Sequence, residues 1–459
     1  MRGMWNIAQM LCLGLAPRAA AAVSPDSLVH ALLRAGFRGN TAYQLLQELT
    51  AHAPHRLSGS IVSLMALDLA QQMMRDAGLT HVRVESVMVP HWDRGTVEEA
   101  RLLDASGRPI GPLAVCALGG SVGTPPGGIT AAVVEVRSFE QLRSMGKAAE
   151  GKMIFFNRPM DPARLDPFDA YGGAVEQRSR GAIEAARAGG VAAIVRSMTL
   201  AHDNVPHTGA MGYADSVRKV PAVAIGIADA ERLSNLVAGG AAPRVHLHLD
   251  CATLPDVSSG NAMGELTGSE FPQEIIVVGG HIDCWDKGAG AHDDGAGCVQ
   301  AIEALRLLHE LGIQPRRTLR AVLFMNEENG LRGGRGYAAA PGRTGEQHIA
   351  AIESDMGGFA PRGFSVQADS VTVTCVRRWQ PLLESLDAGK IEVGHSGVDI
   401  SPLANQGIPS FGLIVDAHRY FDVHHSDNDT IDKVHPRELE HGAIVEALLL
   451  YLISESGLR

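Results

Sequence analysis

Ile275-Ile276-Val277-Val278-Gly279-Gly280-His281-Ile282-Asp283-Cys284-Trp285-Asp286 is the stretch that decides the fold. A short apolar, β-branched run reads as a strand buried on both faces. It ends on two glycines and passes directly into a His-x-Asp. That pattern belongs to an α/β protein whose site lies at the carboxyl ends of parallel strands. Toward the C-terminus the pattern repeats. Leu319–Met325 reads as a strand and leads into Asn326-Glu327-Glu328-Asn329-Gly330. Ile349–Glu353 leads into Ser354-Asp355-Met356-Gly357-Gly358, and Ser410–Val415 into the loop that holds His424-His425-Ser426-Asp427-Asn428-Asp429-Thr430. Asp293 stands in Ala291-His292-Asp293-Asp294-Gly295, just ahead of a helix expected over Ala296–Leu311, with Val299, Ile302, Leu305 and Leu308 on one face. Pro436 opens a last helix that reaches about Ser454, since a first turn tolerates proline.

His281, Asp293, Glu327, Glu328, Asp355 and His425 can therefore converge at one edge of the sheet. Imidazole and carboxylate suit zinc, and three protein ligands per ion leave a position for water. One carboxylate can bridge two ions about 3.5–4 Å apart. The arrangement expected is two zinc ions bridged by Asp293, with His281 and Asp355 completing one and Glu328 and His425 the other. On residue type alone, Asp294 and His424 remain alternatives to their neighbours. Glu327 has a separate task. As Glu328 turns to the metal, Glu327 can face the attacking water, take its proton and pass it to a leaving amine. Asp283 can accept the second ring N–H of His281 and fix its tautomer, which places it with Glu327 in the catalytic group. Taken singly these motifs have ordinary readings: a solvated Glu-Glu turn, an Asp-Asp helix cap, surface histidines. Their shared order and strand-end placement make them a site.

The 459 residues are 45% hydrophobic and 20% charged, which is globular and long enough for two or three domains. The net charge of -11 comes without a Lys/Arg run, so no nucleic acid is expected as partner. No stretch reaches the roughly 18 apolar residues of a spanning helix. Residues 1–24 read as a signal peptide, with Arg2, the apolar run Ile7–Ala16 and the small residues Ala19–Ala22. Gln9 and Pro17-Arg18 weigh against it. Export, to a periplasm or outside the cell, follows if it is one; otherwise the chain is cytoplasmic. The six cysteines show neither a disulfide framework nor a CxxC motif, so buried thiols are expected.

Helical patterning covers 26–50 and 61–78, with the turn-rich break His55-Arg56-Leu57-Ser58-Gly59-Ser60 between them, and Val82–Val89 alternates as a strand. From 112 the composition changes. A Gly/Pro loop, Gly119–Gly128, precedes strands at Ala131–Val136, Lys152–Phe156, Val191–Val195 and Pro221–Ile225, and a helix at Gly181–Ala188. The expected organisation is a catalytic domain over 25–111 and 248–459, interrupted by a β-rich domain over 112–247.

These residues resemble the co-catalytic zinc exopeptidases, the family of bacterial aminopeptidases, glutamate carboxypeptidase and carboxypeptidase Q. Val89-Pro90-His91-Trp92-Asp93-Arg94-Gly95, Gly123-Thr124-Pro125-Pro126, Gly181–Ala186 and Pro206-His207-Thr208-Gly209 carry the likeness toward its carboxypeptidase Q branch, over residues 26–455. The resemblance implies a mixed-sheet α/β/α sandwich with an inserted protease-associated domain bordering the cleft. It also implies a homodimer and hydrolysis of short peptides, dipeptides with free termini in particular. In the family pattern the ligands fall on His281, Asp293, Glu328, Asp355 and His425, and the base on Glu327. The ligand set alone equally permits an aminopeptidase. A non-catalytic binding protein of the same fold is a remote alternative, since all six positions are present. Candidates for substrate contact are Tyr420 and Arg419, for an oxyanion or a substrate carboxylate. Asp399, in Gly397-Val398-Asp399-Ile400, and His207, which could reach the cleft of its own or a partner subunit, complete the set.

Overall fold

In chain order the strands are β1 (Thr80–Asp93), β2 (Glu98–Leu103), β3 (Pro109–Leu113), β4 (Val115–Ala117), β5 (Ile129–Val136), β6 (Met153–Phe156), β7 (Ala192–Arg196), β8 (Ala222–Ile225), β9 (Arg244–Leu249), β10 (Ala252–Leu266), β11 (Phe271–His281), β12 (Arg317–Phe324), β13 (Gln347–Glu353), β14 (Pro361–Gln367), β15 (Lys390–Val393) and β16 (Ser410–Val415). The computed structural model describes residues 24–340 and 345–458. Residues 1–23 of the segment read as a signal peptide, with Cys12, lie outside the described residues.

The described strands form two eight-stranded sheets. The first has the order β1-β10-β12-β11-β13-β16-β14-β15. Its centre is parallel: β11 pairs with β12 and β13, and β13 with β16. Antiparallel β10 and β1 extend one side, and β14 pairs antiparallel with β16 on the other. The apolar runs at the centre need cover on both faces, and they have it. Ile276 and Val278 pack with Ile302, Leu305, Leu448 and Leu449 from the helices Ala296–Glu310 and Pro436–Ser456. Ile275 and Val277 face the opposite way, against Tyr337 and Leu403 from the helices Arg332–Ala339 and Ser401–Ala404. The result is an α/β/α sandwich on a mixed sheet. Each such fully buried aliphatic side chain contributes about 1.5–3 kcal/mol.

The second sheet has the order β3-β2-β9-β5-β6-β7-β8-β4. It begins at Glu98, not at 112, because β2 pairs with both β3 and β9. Residues 98–111, assigned from sequence to the catalytic part, thus share hydrogen bonds with strands over a hundred residues later. The helix expected at Gly181–Ala188 spans Glu176–Arg187. Its first turn is polar, which hid the start of its buried face. Trp285, from the loop after β11, is buried with Leu102, Phe155 and Leu247 of this second sheet. It joins the two sheets directly beside the site. The five described cysteines are free and buried, as expected. No described helix is long and apolar enough to cross a membrane.

Candidate metal centre

Four parallel strands end at the same edge, and each delivers a side chain there. His281 is the last residue of β11, Glu327 and Glu328 follow β12, Asp355 follows β13, and His425 lies in the loop after β16. Asp293 precedes the helix Ala296–Glu310. The glycine before His281 is required by close approach, since a Cβ at Gly280 would overlap the Asp294 carboxylate. Asp294 Oδ2 accepts the His281 N–H at 3.1 Å and its Oδ1 the Gly297 N–H at 3.0 Å. Asp294 is thereby committed to main chain. The peptide between Asp293 and Asp294 is cis.

Asp293 lies between two groups of ligand-type atoms. Its Oδ1 is 3.2 Å from His281 Nε2, which is 3.4 Å from Asp355 Oδ1. Its Oδ2 is 3.3 Å from His425 Nε2, which is 3.1 Å from Glu328 Oε2. His424 Nε2 is more distant, 3.8 Å from Asp293 Oδ2, and its ring stacks on that of His425. By proximity alone, two sets could hold an ion: His281, Asp293 and Asp355, and Asp293, His424 and His425. Glu328 adds its oxygen beside His425, and its Oε1 also accepts the main-chain N–H of Trp285 at 3.2 Å.

The electrostatics call for cations. Burial, with the charge of Asp293, pushes the Glu328 carboxyl well above the usual range. Burial, with Asp355 and Asp293 nearby, pushes Glu327 up to about 8. Burial disfavours a charged His281, yet Asp355 and Asp293 outweigh it and raise its pKa well above normal. His281 Nε2 and Asp293 Oδ2 are both buried without a hydrogen-bond partner, although they approach other ligand atoms. Clustered buried carboxylates with orphaned lone pairs are unstable unless a cation neutralises them. The donor set of imidazole nitrogen and carboxylate oxygen suits zinc.

Around these residues a further layer holds them in place. His281 Nδ1 lies 2.9 Å from the main-chain oxygen of Asp283, and the Asp283 carboxylate is farther off at 3.8 Å. This corrects the expected role of Asp283, whose carbonyl, not its carboxylate, takes the ring N–H. Asp283 Oδ1 instead accepts the N–H groups of Asn326 and Glu327 at 2.8 and 3.1 Å, which sets the turn that carries the two glutamates. Sequence reading missed Asp429, Glu353, Arg56 and Arg178. Asp429 Oδ1 and Oδ2 accept the N–H groups of His292 and Asp293. Glu353 accepts those of Val398, Asp399 and Ile400. Arg56 is fully buried and donates to the carbonyls of Ile282, Ala289 and Gly290, joining the loops on either side of the site. Asp429 stands within the same HHSDNDT frame as His425, the one signal available for it.

A cavity of about 420 Å³ opens over Asp293, Glu327, Glu328, Asp355 and His425, and Phe168, Tyr171, Tyr420 and Phe421 form its aromatic wall. Of the four substrate-contact candidates, Tyr420 alone lines it. Arg419 is exposed and turns away, with its guanidinium 5.5 Å from the ring of Phe359 and lining a separate depression. Asp399 is buried behind Val398, and both its oxygens lack hydrogen-bond partners. His207 is buried, with Nδ1 2.7 Å from the His424 carbonyl oxygen, so it braces the His424-His425 loop and does not face the cleft.

Residues 261–450 match the model of Peptidase family M28. Carboxypeptidase Q from Bos taurus is 35% identical over 91% of this chain and 86% of its own length. The Homo sapiens carboxypeptidase Q is likewise 35% identical over 91% of this chain and 86% of its own length. The crystal structure of a Peptidase M28 precursor from Shewanella amazonensis superposes with a TM-score of 0.90 at 32% identity, covering 95% of this chain and 98% of that one. A zinc aminopeptidase from Bacillus subtilis shares the fold, with a TM-score of 0.63 at 20% identity over 89% of this chain and 93% of its own.

Proposed function

The chain belongs to peptidase family M28 and is a zinc metallo-exopeptidase, and from that premise we propose that two zinc ions bridged by Asp293 serve it in cleaving short peptides, dipeptides with free termini above all. The observation that carries the two-ion reading is the division of the Asp293 oxygens. Each faces a different histidine and a different carboxylate, at 3.1–3.4 Å within each group. On this reading His281 and Asp355 hold one ion and Glu328 and His425 the other. His424 then packs as part of the aromatic wall beside Tyr171, Tyr420 and Phe421. Zinc would polarise the scissile carbonyl and lower the pKa of water. Glu327, half-buried and facing the cavity, takes the proton of the attacking water and passes it to the leaving amine.

Two observations support a short substrate: the likeness to carboxypeptidase Q over most of the chain, and the modest size of the cavity, about 420 Å³, with aromatic rings in its wall. The second sheet, which borders this cavity, is read as the protease-associated domain. Assembly as a homodimer is checked by light scattering, and export by sequencing the mature N-terminus. The experiment that tests the function is product analysis with a free dipeptide, its N-acetyl form and its C-terminal amide. The free dipeptide is cleaved and the amide poorly; cleavage of the amide at full rate assigns an aminopeptidase instead.

A further inference from the structure

Trp285 is the residue at which two members of one ligand group meet. Its main-chain N–H donates to Glu328 Oε1 at 3.2 Å, and Glu328 Oε2 lies 3.1 Å from His425 Nε2. Its ring stands edge-on to that of His425, with centroids 5.8 Å apart and planes at 66°. That ring belongs to the core of the second sheet and is 1% exposed. Its Nε1 is buried without a hydrogen-bond partner, so packing alone sets where the ring lies.

The ring packs on the main chain of Gly119, where a Cβ would stand 1.8 Å from Trp285 Cη2. Gly119 is hydrogen bonded on both sides to the connection between β7 and β8. Its N–H donates to the Gly209 carbonyl and its carbonyl accepts the Met211 N–H, each at 3.0 Å. The same connection grips the His425 loop. The Thr208 N–H donates to the His425 carbonyl at 2.8 Å. A Cβ at Gly209 would overlap both His425 and Arg178, whose Nη1 lies 3.3 Å from His425 Nδ1. One residue beyond Trp285, Arg94 ties the Asp286 carboxylate to β4, with Nε on Asp286 at 2.8 Å and Nη1 on the Ala117 carbonyl at 2.7 Å. Glu328 and His425 are thus held from the second sheet, although Glu328 follows a strand of the first.

The other ligand group has no such tie among the described residues. Outside the strand ladder, His281 is hydrogen bonded to Asp283, Asp294 and Cys298, all in segments attached to the first sheet. Asp355 follows β13, which is central in that sheet.

We propose that Trp285 is a positioning residue that makes the ion of Glu328 and His425 depend on the docking of the second sheet, while the ion of His281 and Asp355 depends on the first sheet alone. The proposal rests on the two-ion reading above. Moving the ring would turn the His425 imidazole and shift the N–H that orients Glu328. Metal affinity falls when the groups that orient a ligand are removed.

The test is metal analysis and competition with a chromophoric chelator on the zinc-loaded parent, Trp285→Leu, Trp285→Phe and Gly119→Ala. The last of these lies outside both ligand groups and acts by displacing the ring. The parent carries two zinc ions per chain. Trp285→Leu and Gly119→Ala bind one of the two roughly 10- to 100-fold more weakly and keep the other within about twofold. Trp285→Phe, which keeps an aromatic edge and the main-chain N–H, recovers part of the loss and serves if the Leu variant does not fold. Glu328→Gln already lacks the affected ion, so adding Trp285→Leu to it changes the affinity for the remaining zinc by less than about twofold. Phe139→Leu, which thins the core on the other side of the second sheet, keeps both ions. Equal weakening of both ions, no weakening of either, or loss of the same ion in Phe139→Leu overturns the role of Trp285. A parent that carries one zinc per chain overturns the two-ion reading itself, and the proposal with it.

Discussion

Asp429 holds Asp293 by its backbone: its Oδ2 accepts the Asp293 N–H at 3.1 Å, while its Oδ1 accepts that of His292 at 2.7 Å. The residue between the two ligand groups is thus positioned from the loop that also carries His425. Asp429→Asn replaces one of these acceptors with an N–H that faces another N–H. Zinc affinity is expected to fall roughly 10- to 100-fold, as it does when the support of a ligand is removed. Competition with a chromophoric chelator measures it; an unchanged affinity refutes the positioning role.

Glu327 and Glu328 are chain neighbours with different surroundings. Glu328 is 5% exposed and touches His425, whereas Glu327 is half-buried at the cavity floor. Glu327→Gln is expected to keep its zinc and lose about 10²- to 10⁴-fold in kcat. Glu328→Gln is expected to lose zinc toward one ion per chain. Metal analysis beside steady-state kinetics separates the two, and a Glu327→Gln protein with parent-like kcat refutes the base.

His207 Nδ1 bonds the carbonyl of His424 at 2.7 Å, and its own main-chain N–H bonds Ser197 Oγ at 2.8 Å. Burial pushes its pKa down to about 4, so the ring is neutral at working pH and donates from Nδ1. His207→Ala leaves that buried carbonyl without its donor and opens a cavity. A loss of about 1–3 kcal/mol in unfolding free energy is expected from denaturant titration. No measurable loss would mean the loop is held by other contacts, such as the Thr208 N–H to the His425 carbonyl at 2.8 Å.

The parts of this site that sequence made legible are those with a local signature. His281, Glu327, Glu328 and Asp355 each follow an apolar strand within a few residues, and parallel strands bring their ends together wherever they lie in the chain. Asp293 and Asp294 could not be told apart by type, and the hydrogen bonds of Asp294 to His281 and Gly297 separate them. Arg56 and Arg178 carry no such signature. Each reaches the site only because distant segments pack there, one over the loops after β11 and the other beneath the second sheet. Arg419 misled for the converse reason: it is near His425 in the chain but lies at the end of the short 3-10 turn Ala417–Arg419, on the outer side. The boundary at 112 failed because the pairing of β2 with β9 is long-range and leaves no mark on composition.

Glu440 lies far from the metal centre and makes folding itself depend on pH. It faces Glu303, to which Arg306 donates two hydrogen bonds of 2.6 and 2.7 Å. Burial, with the charge of Glu303, pushes the Glu440 carboxyl from 4.5 up to about 8. Between those two values the folded protein keeps a proton that the unfolded chain has released. The contribution to stability is therefore complete below about 4.5, declines as the pH rises and is gone by about 8. Its slope is at most about 1.4 kcal/mol per pH unit. Glu440→Gln has no proton to lose, and its amide oxygen can still accept the Ala42 N–H that Glu440 Oε2 accepts at 3.0 Å. With zinc saturating, Tm of the parent is expected to fall from pH 6 to 8.5 more steeply than that of the variant. Parallel Tm curves over that range would show that Glu440 is already ionised in the folded protein.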